Sequence, residues 1–299
     1  MKKIDLIPRI QELYSKGQNI LEFLKNESGS ALNSIEDILI SYDFQAGSYI
    51  KHALDNPLYI DKYSTAIAAV LNQLGDLNTV MEIGVGEATT LANVSPKLAN
   101  RDLSYFGFDI SWSRIYVGKD YSLQRNLSIN LFVADLFKIP LPDNSIDVVY
   151  TSHSIEPNGG RESEALLELY RVARKFVVLL EPTNEFADEE GKARMKKNGY
   201  VHNLKGQIEN LGYKLIDYRP FDVIVNPLNP TGLYVIQKSA QDNGHAIPGI
   251  HSFCCPISKG DLIEYADHFF CAYSLLSYPK ILGIPCLTPS NAILTAKHH

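Results

Sequence analysis

An open α/β sheet with helices on both faces is the fold this sequence predicts, and three features predict it. Short apolar runs alternate with helical segments between residues 79 and 237, the pattern of parallel strands buried between helices. The first run, TVMEI, passes directly into Gly84 and Gly86 and then into a segment able to open a helix. Such a junction lets the backbone turn tightly and lets a ligand approach it closely. Ahead of the sheet the apolar spacing is helical, and behind it turn residues and all the cysteines gather, so the sheet carries an addition at each end. The expected organisation is a helical lid region over residues 1–60, the sheet domain over 61–238, a linker over 239–250 and a small β-rich domain over 251–297.

The elements follow in order. LIPRIQELYSKGQNILEFLKN and SIEDILISYDF have helical spacing, and KYSTAIAAVLNQL is a helix ending at Gly75. After TVMEIG, the segment EATTLANVSPKLA starts as a helix, with Pro96 an irregularity near its end. LSYFGFDIS, SINLFVADL and SIDVVYTSHS are the next strands, RESEALLELYRVA is a helix, and KFVVLLEP is the fifth strand. NLKGQIENLG is again helical, and YKLIDYRPF and TGLYVIQKS complete the sheet. Residues 238–250, KSAQDNGHAIPGI, are polar and turn-rich.

Composition narrows the function. Of 299 residues, 45% are hydrophobic and 21% charged, enough for a sizeable core. The net charge of -6 and pI near 5.8 give no general attraction to a polyanion and count against a nucleic-acid partner, although a local basic surface would restore one. The sequence offers neither a charged start with an apolar run and cleavage site nor a long apolar span, so a cytoplasmic protein with no membrane partner is expected. It leaves the oligomeric state open.

The glycine junction raises the question of its ligand. A dinucleotide site calls for G-x-G-x-x-G, whereas Gly84 and Gly86 are followed by Ala88 and Thr89. Phosphate binding is therefore poorly supported, and Glu82 at the strand end suits a cationic or amino-bearing ligand better. The run from Glu82 to Ala88 resembles the first motif of the class I S-adenosylmethionine-dependent methyltransferases, with Ala88 where many members have a third glycine. YFGFDIS resembles their second strand, and FVADLFKIPLPDNSIDVVYTSHSIE resembles the next motifs. The resemblance spans about residues 60–237 and implies a Rossmann-like sheet with S-adenosyl-L-methionine as cofactor. It implies that Glu82, Gly84 and Gly86 form the cofactor turn, that Asp109 beside Ile110 accepts the ribose hydroxyls, and that Asp135 takes the adenine amino group with Leu136 against the ring. Ser152 lies at the mouth of the fourth strand. Strand-end capping is the competing reading for Glu82 and Asp109, an ordinary turn for Asp135, and a structural role is expected for Asp147.

The acceptor side is sought in SHSIEPNGGR, which follows the fourth strand. His153 is the candidate general base with Glu156 orienting it, and Glu181 reaches the same rim from the fifth strand. Contact with substrate or cofactor, and structural hydrogen bonding, are the alternatives for His153. Tyr200 and His202 are further pocket candidates, and Tyr42, Tyr49, Tyr59 and Tyr63 belong to a segment placed to form a lid. The expected activity is methylation of a polar small molecule, a sugar or related metabolite. The alternatives are methylation of transfer RNA or a translation-associated protein, and a noncatalytic cofactor-binding scaffold. SHSIEPNGG stands where base and amide N-methylating members carry Asn/Asp-Pro-Pro-Tyr/Phe, which counts against that route.

At the far end, CPISKGDLIEYADHFFCAYSLLSYPKILGIPCLTPSNA resembles zinc-ribbon-like domains related to the activating partner of several methyltransferases. Its two knuckles read Cys255-Pro-Ile-Ser258 and Cys271-Ala-Tyr-Ser274, so half the thiolates a zinc tetrahedron needs are missing. Neither Cys254 nor His268 has the expected position to substitute. A Cys255–Cys271 disulfide is conceivable, but a reducing cytoplasm argues against it. The expectation is a metal-free descendant holding a small sheet against the catalytic domain through Phe269, Phe270, Leu275, Leu276, Tyr278 and Ile284.

Overall fold

The computed structural model describes residues 3–30, 32–223, 226–239 and 252–298, so residues 240–250 of the expected linker lie outside the described residues. Among the described residues five α-helices precede the first strand: α1 (Ile7–Ser15), α2 (Ile20–Ser28), α3 (Ile35–Phe44), α4 (Ser48–Asp55) and α5 (Pro57–Asn72). The long helical pattern at the start divides in two, because Gly17 takes φ +69° and the Asn19 side chain then caps α2 by accepting the Glu22 N–H. Ser34 and Asp37 form a capping box at the start of α3, and Pro57 opens α5, which crosses the boundary expected at residue 60. Leu6, Ile10, Ile20, Leu24 and Ile40 give the first helices a small core of their own.

The sheet is built from β1 (Thr79–Ile83), β2 (Ser104–Asp109), β3 (Ile129–Val133), β4 (Ile146–Ser152), β5 (Ala173–Pro182), β6 (Lys214–Pro220) and β7 (Thr231–Gln237). Its helices are α6 (Thr89–Val94), α7 (Trp112–Leu123), α8 (Glu162–Val172), α9 (Glu189–Asn198) and α10 (Leu204–Asn210). The strand order is β3-β2-β1-β4-β5-β7-β6. β1 pairs in parallel with β2 and β4, β2 with β3 and β4 with β5, while β7 lies antiparallel to both β5 and β6. The sheet is thus mixed, and its order reverses between β1 and β4, which opens a crevice at their carboxyl ends. β1 is buried on both faces: Met81 and Ile83 enter one core with Phe108 and Phe132, and Val80 enters the other with Val148 and Tyr150. Helix α7 had no clear apolar stripe in the sequence, since Arg114, Lys119 and Asp120 interrupt it. It is fixed instead by its Ser111 cap and by Gly118, where a Cβ would come within 2.8 Å of the Glu87 backbone.

The carboxyl-terminal region forms β8 (Ile263–Glu264), β9 (His268–Cys271), β10 (Leu276–Ile281), β11 (Ile284–Pro285) and β12 (Ile293–Leu294), paired antiparallel. It docks on the open edge of the large sheet. Leu287 N–H donates to Val133 O at 2.8 Å, Cys254 N–H donates to Pro140 O at 3.0 Å, and Phe253 wedges between Phe132 and Phe269. An edge strand is thereby covered, and Phe269 and Tyr278 join the same core as Phe132. Phe270 and Ile284 are also buried, whereas Leu275 is 40% exposed. Among the described residues no helix is long and apolar enough to cross a membrane.

The Cys255–Ser258 and Cys271–Ser274 segments meet inside this region. Ser258 N–H donates to Cys255 Sγ at 3.4 Å, Ser258 Oγ lies 3.6 Å from Cys271 Sγ, and Ser274 Oγ lies 3.6 Å from Cys255 Sγ. The Tyr278 hydroxyl closes the cluster 3.1 Å from Cys255 Sγ. Burial works against ionisation of the Cys255 thiol, but hydrogen bonds from Ser258, Tyr278 and Ser274 outweigh it and bring it down to about 7. No group of three or more His, Cys, Asp or Glu side chains able to hold a metal occurs among the described residues. Two added thiols should create a site: the Ser258→Cys, Ser274→Cys double variant is expected to bind one zinc ion per chain, measured by atomic emission after dialysis. A folded double variant that retains no zinc would show that the four positions do not describe a tetrahedron.

Candidate active site

A cavity of about 530 Å³ opens where β1, β2 and β4 end. Gly84, Asp109, Ile110, Asp135, Leu136, Ser152 and His153 all line it, so most of the sequence candidates meet at one place. Gly84 has φ +60°, and a Cβ there would lie 2.4 Å from that of Ser154, so only glycine fits this turn. Ala88 also takes a left-handed conformation, φ +56°, at the start of α6. Asp109 accepts the Gly86 N–H at 3.1 Å and the Ser111 N–H at 2.9 Å, which ties the two motif turns together. Burial raises its carboxyl above the usual range, partly offset by the Arg114 charge. Asp135 accepts the Phe137 N–H at 2.9 Å, and burial likewise raises it.

The donor set fits S-adenosylmethionine. Two carboxylates face the cavity beside a glycine turn that admits no Cβ, which suits ribose hydroxyls and an amino group and disfavours a phosphate. Ser154 Oγ is buried without a hydrogen-bond partner at the same turn, a polar atom left for a ligand.

Helices α3, α4 and α5 close the cavity with Tyr42, Tyr49, His52, Tyr59 and Tyr63. Their hold on the sheet comes from a residue to which the sequence reading gave no role. Glu87, fully buried, accepts N–H groups from Gly47 at 3.0 Å, Tyr49 at 3.3 Å and Ile50 at 2.7 Å, capping α4 from the cofactor turn. Asp43 on α3 does the reverse, accepting from Ser111 Oγ at 2.7 Å and from Ser113 N and Oγ at 3.1 and 2.8 Å. Between them the buried Arg114 guanidinium lies 4.6 Å from the Tyr42 ring and 4.3 Å from the Tyr49 ring.

Glu82, Glu156 and Glu181 do not line the cavity, and His153, which does, is held from behind its wall. Glu82 is 2% exposed and accepts the Tyr150 hydroxyl at 2.7 Å, beneath the turn and facing the core. Burial pushes its carboxyl up to about 8 against the lowering effect of that bond. Glu181, placed at the rim by the sequence, is wholly buried and accepts the N–H groups of Ser154, Ile155 and Glu156 at 3.0–3.1 Å. Burial pushes it up to about 7, against the lowering charge of His153. His153 takes φ +56° at the end of β4; its Nδ1 donates to Glu156 Oε2 at 2.6 Å and its Nε2 shares a hydrogen bond with Thr231 Oγ1 at 2.8 Å. Burial opposes a proton on this ring, but the bond and charge of Glu156 outweigh it, and the net direction is upward. Asn229 holds the other Glu156 oxygen at 3.1 Å. Glu156 and Glu181 therefore anchor the loop after β4 within the protein. Asp147 sits buried at the base of β4, paired with Arg174 and accepting the Asn78 N–H at 2.7 Å. Tyr200 and His202 do not line the cavity.

Residues 81–180, from within β1 to within β5, match the family model described as a methyltransferase domain. No curated protein sequence matches the chain. Among solved structures, the chain is similar to the magnesium protoporphyrin IX methyltransferase of Synechocystis PCC 6803 with bound S-adenosylhomocysteine, at 15% identity over 61% of this chain and 84% of that chain, TM-score 0.48. It is similar to a SAM-dependent methyltransferase from Aquifex aeolicus, at 19% identity over 56% of this chain and 87% of that one, TM-score 0.43. A complex of the Haloferax volcanii Trm112 methyltransferase activator with a methyltransferase gives 14% identity over 66% of this chain and 96% of that chain, TM-score 0.49. The chain carries a methyltransferase domain of class I architecture, and S-adenosylmethionine is the cofactor of that domain.

The buried acids make a pH dependence. Glu82, at about 8, and Glu181, at about 7, keep protons in the folded chain that an unfolded carboxyl near 4.5 has released. Their contribution is fully present below the unfolded value and is lost as pH rises through the folded values, and the raised His153 acts in the same direction. The urea midpoint is expected to fall from about pH 4.5 to about pH 8, the interval between the unfolded and folded values. Glu82→Gln, which mimics the protonated acid, should flatten that fall; a midpoint constant or rising over the window would contradict the assignment.

Proposed function

We propose that this chain transfers the methyl group of S-adenosylmethionine to a small, uncharged molecule enclosed beneath α4 and α5. One observation carries the reading: a single cavity runs from Asp109 and Asp135 to Tyr59, Tyr63 and Ser152, so donor and acceptor share one chamber. The cofactor supplies an already activated methyl group. The protein's work is then to align the acceptor and exclude water. Gly84, Asp109, Ile110, Asp135 and Leu136 are the residues proposed to hold the cofactor.

Tyr63 and Ser152 mark the acceptor end, their hydroxyls 2.8 Å apart at the mouth of β4. The Tyr59 ring stacks on Tyr63 at 5.9 Å, and Ile35, Ile38 and Ile60 complete a wall that is largely apolar and aromatic. Such a wall favours a molecule with a flat or apolar body and few polar points over a polyol such as a sugar. His153 is proposed to position the loop carrying Ser152 and Ser154, since Glu156 and Thr231 occupy its two nitrogens.

The purified chain, incubated with methyl-labelled S-adenosylmethionine and fractionated cell extract, is expected to put label into material that passes a dialysis membrane. Label retained with RNA or protein would contradict the small-molecule reading. Tyr63→Phe should lower transfer several-fold while leaving S-adenosylhomocysteine affinity unchanged.

A further inference from the structure

We propose that the acceptor atom is an amine nitrogen, methylated as the free base with no protein group removing a proton before transfer; this rests on the methyl-transfer reading above. The proposal comes from the state of each titratable side chain lining the chamber among the described residues. His153 spends both nitrogens on Glu156 and Thr231. His52 Nδ1 faces the Asn56 side-chain amide at 3.3 Å, and an amide N–H only donates. A neutral His52 ring therefore keeps its proton on Nε2 and offers a donor, not a base.

Tyr42, Tyr59 and Tyr63 hold their protons. Burial raises Tyr42 and Tyr63 well above the ordinary phenol value and Tyr59 to about 12. Tyr49 lies against the Arg114 guanidinium. Of the carboxylates, Asp109 already accepts two backbone N–H groups and Asp135 one, both on the cofactor side. An alcohol, phenol or carbon acceptor needs a base to take its proton. The lining provides none.

An acceptor arriving as an anion would avoid that need but would require a cation to receive it. The one arginine in the wall, Arg114, is held between Tyr42 and Tyr49 beside Asp109. Thiolates and carboxylates therefore meet no free positive partner among the described residues of the wall. A neutral amine needs neither a base nor a counter-charge.

The wall also supplies what an amine uses. Ser154 Oγ, buried and without a partner at the Gly84 turn, can accept an amine N–H and so turn the nitrogen lone pair toward the methyl group. The lone pair forms the new N–C bond as the C–S bond breaks, and the electrons of the C–S bond pass to sulfur. Positive charge moves from sulfur to nitrogen; a secondary or tertiary ammonium product loses a proton to water after release, and a quaternary one has none to lose. The π faces of Tyr59 and Tyr63 at the acceptor end favour that charge.

The test uses the full chain, methyl-labelled S-adenosylmethionine and a matched panel: phenethylamine, tryptamine and their N-methyl derivatives, each beside the alcohol and thiol of the same skeleton. S-adenosylhomocysteine binding is measured calorimetrically on the same preparation. Label is expected on the amines alone, with kcat/KM rising about tenfold per pH unit below the pKa of the amine used and shifting when the amine is changed. Transfer to any alcohol or thiol overturns the proposal, as does a chain that binds S-adenosylhomocysteine yet methylates no amine in the panel. A chain that does not bind S-adenosylhomocysteine overturns the methyl-transfer reading beneath it.

Discussion

The carboxylate of Glu87 is the joint on which the site depends. It leaves the cofactor turn and caps α4 through the N–H groups of Gly47, Tyr49 and Ile50, with no exposure to solvent. A helix start offers unpaired N–H groups and a positive dipole end, and a buried carboxylate answers both. Hydrogen bonds to a charged group contribute on the order of 2 kcal/mol each, so the roof of the chamber and the floor of the cofactor turn behave as one piece. Gly118 lets α7 approach the same residue closely, and α7 in turn carries Arg114 beneath Tyr42 and Tyr49. The turn that would hold the cofactor and the helices that would enclose the acceptor are therefore set by the same few contacts.

A second network fixes the opposite wall. Glu181 gathers three successive backbone N–H groups after β4, and the His153–Glu156 pair ties that loop to Thr231 on β7 and to Asn229. His153 holds a left-handed backbone, a conformation that costs roughly 1 kcal/mol for a side-chain-bearing residue and persists only when its surroundings hold it. The antiparallel strand β7 contributes the group that does so. The polar residues after β4 thus read as a rigid frame around Ser152 and Ser154 rather than as free acids and bases.

Much of the fold was legible in the sequence because buried strands declare themselves as apolar runs between turn residues. TVMEI, YFGFD and VVYTS are such runs, and the glycines after the first mark the crevice. Helix α7 was not legible, since Arg114 is buried by stacking on aromatic rings from α3 and α4 and so breaks the apolar period. Nor was the role of Glu87, whose partners are backbone N–H groups some forty residues earlier in the chain. The site candidates divide by the same logic. Gly84, Asp109 and Asp135 were found from position in a motif and line the cavity, whereas Glu156 and Glu181 were chosen as acids near a rim. An acid beside a tight loop can turn inward to bind its amides, and sequence alone does not distinguish the two directions.

The most direct measurement is calorimetric titration of S-adenosylhomocysteine into the chain and into its Asp109→Ala and Glu87→Ala variants, with folding checked by circular dichroism. The account predicts one site per chain in the parent and affinity reduced at least tenfold in each folded variant, the first through the lost acceptor oxygens and the second through the released roof. No binding by the parent after copurified ligand is removed, or unchanged affinity in both variants, would contradict it.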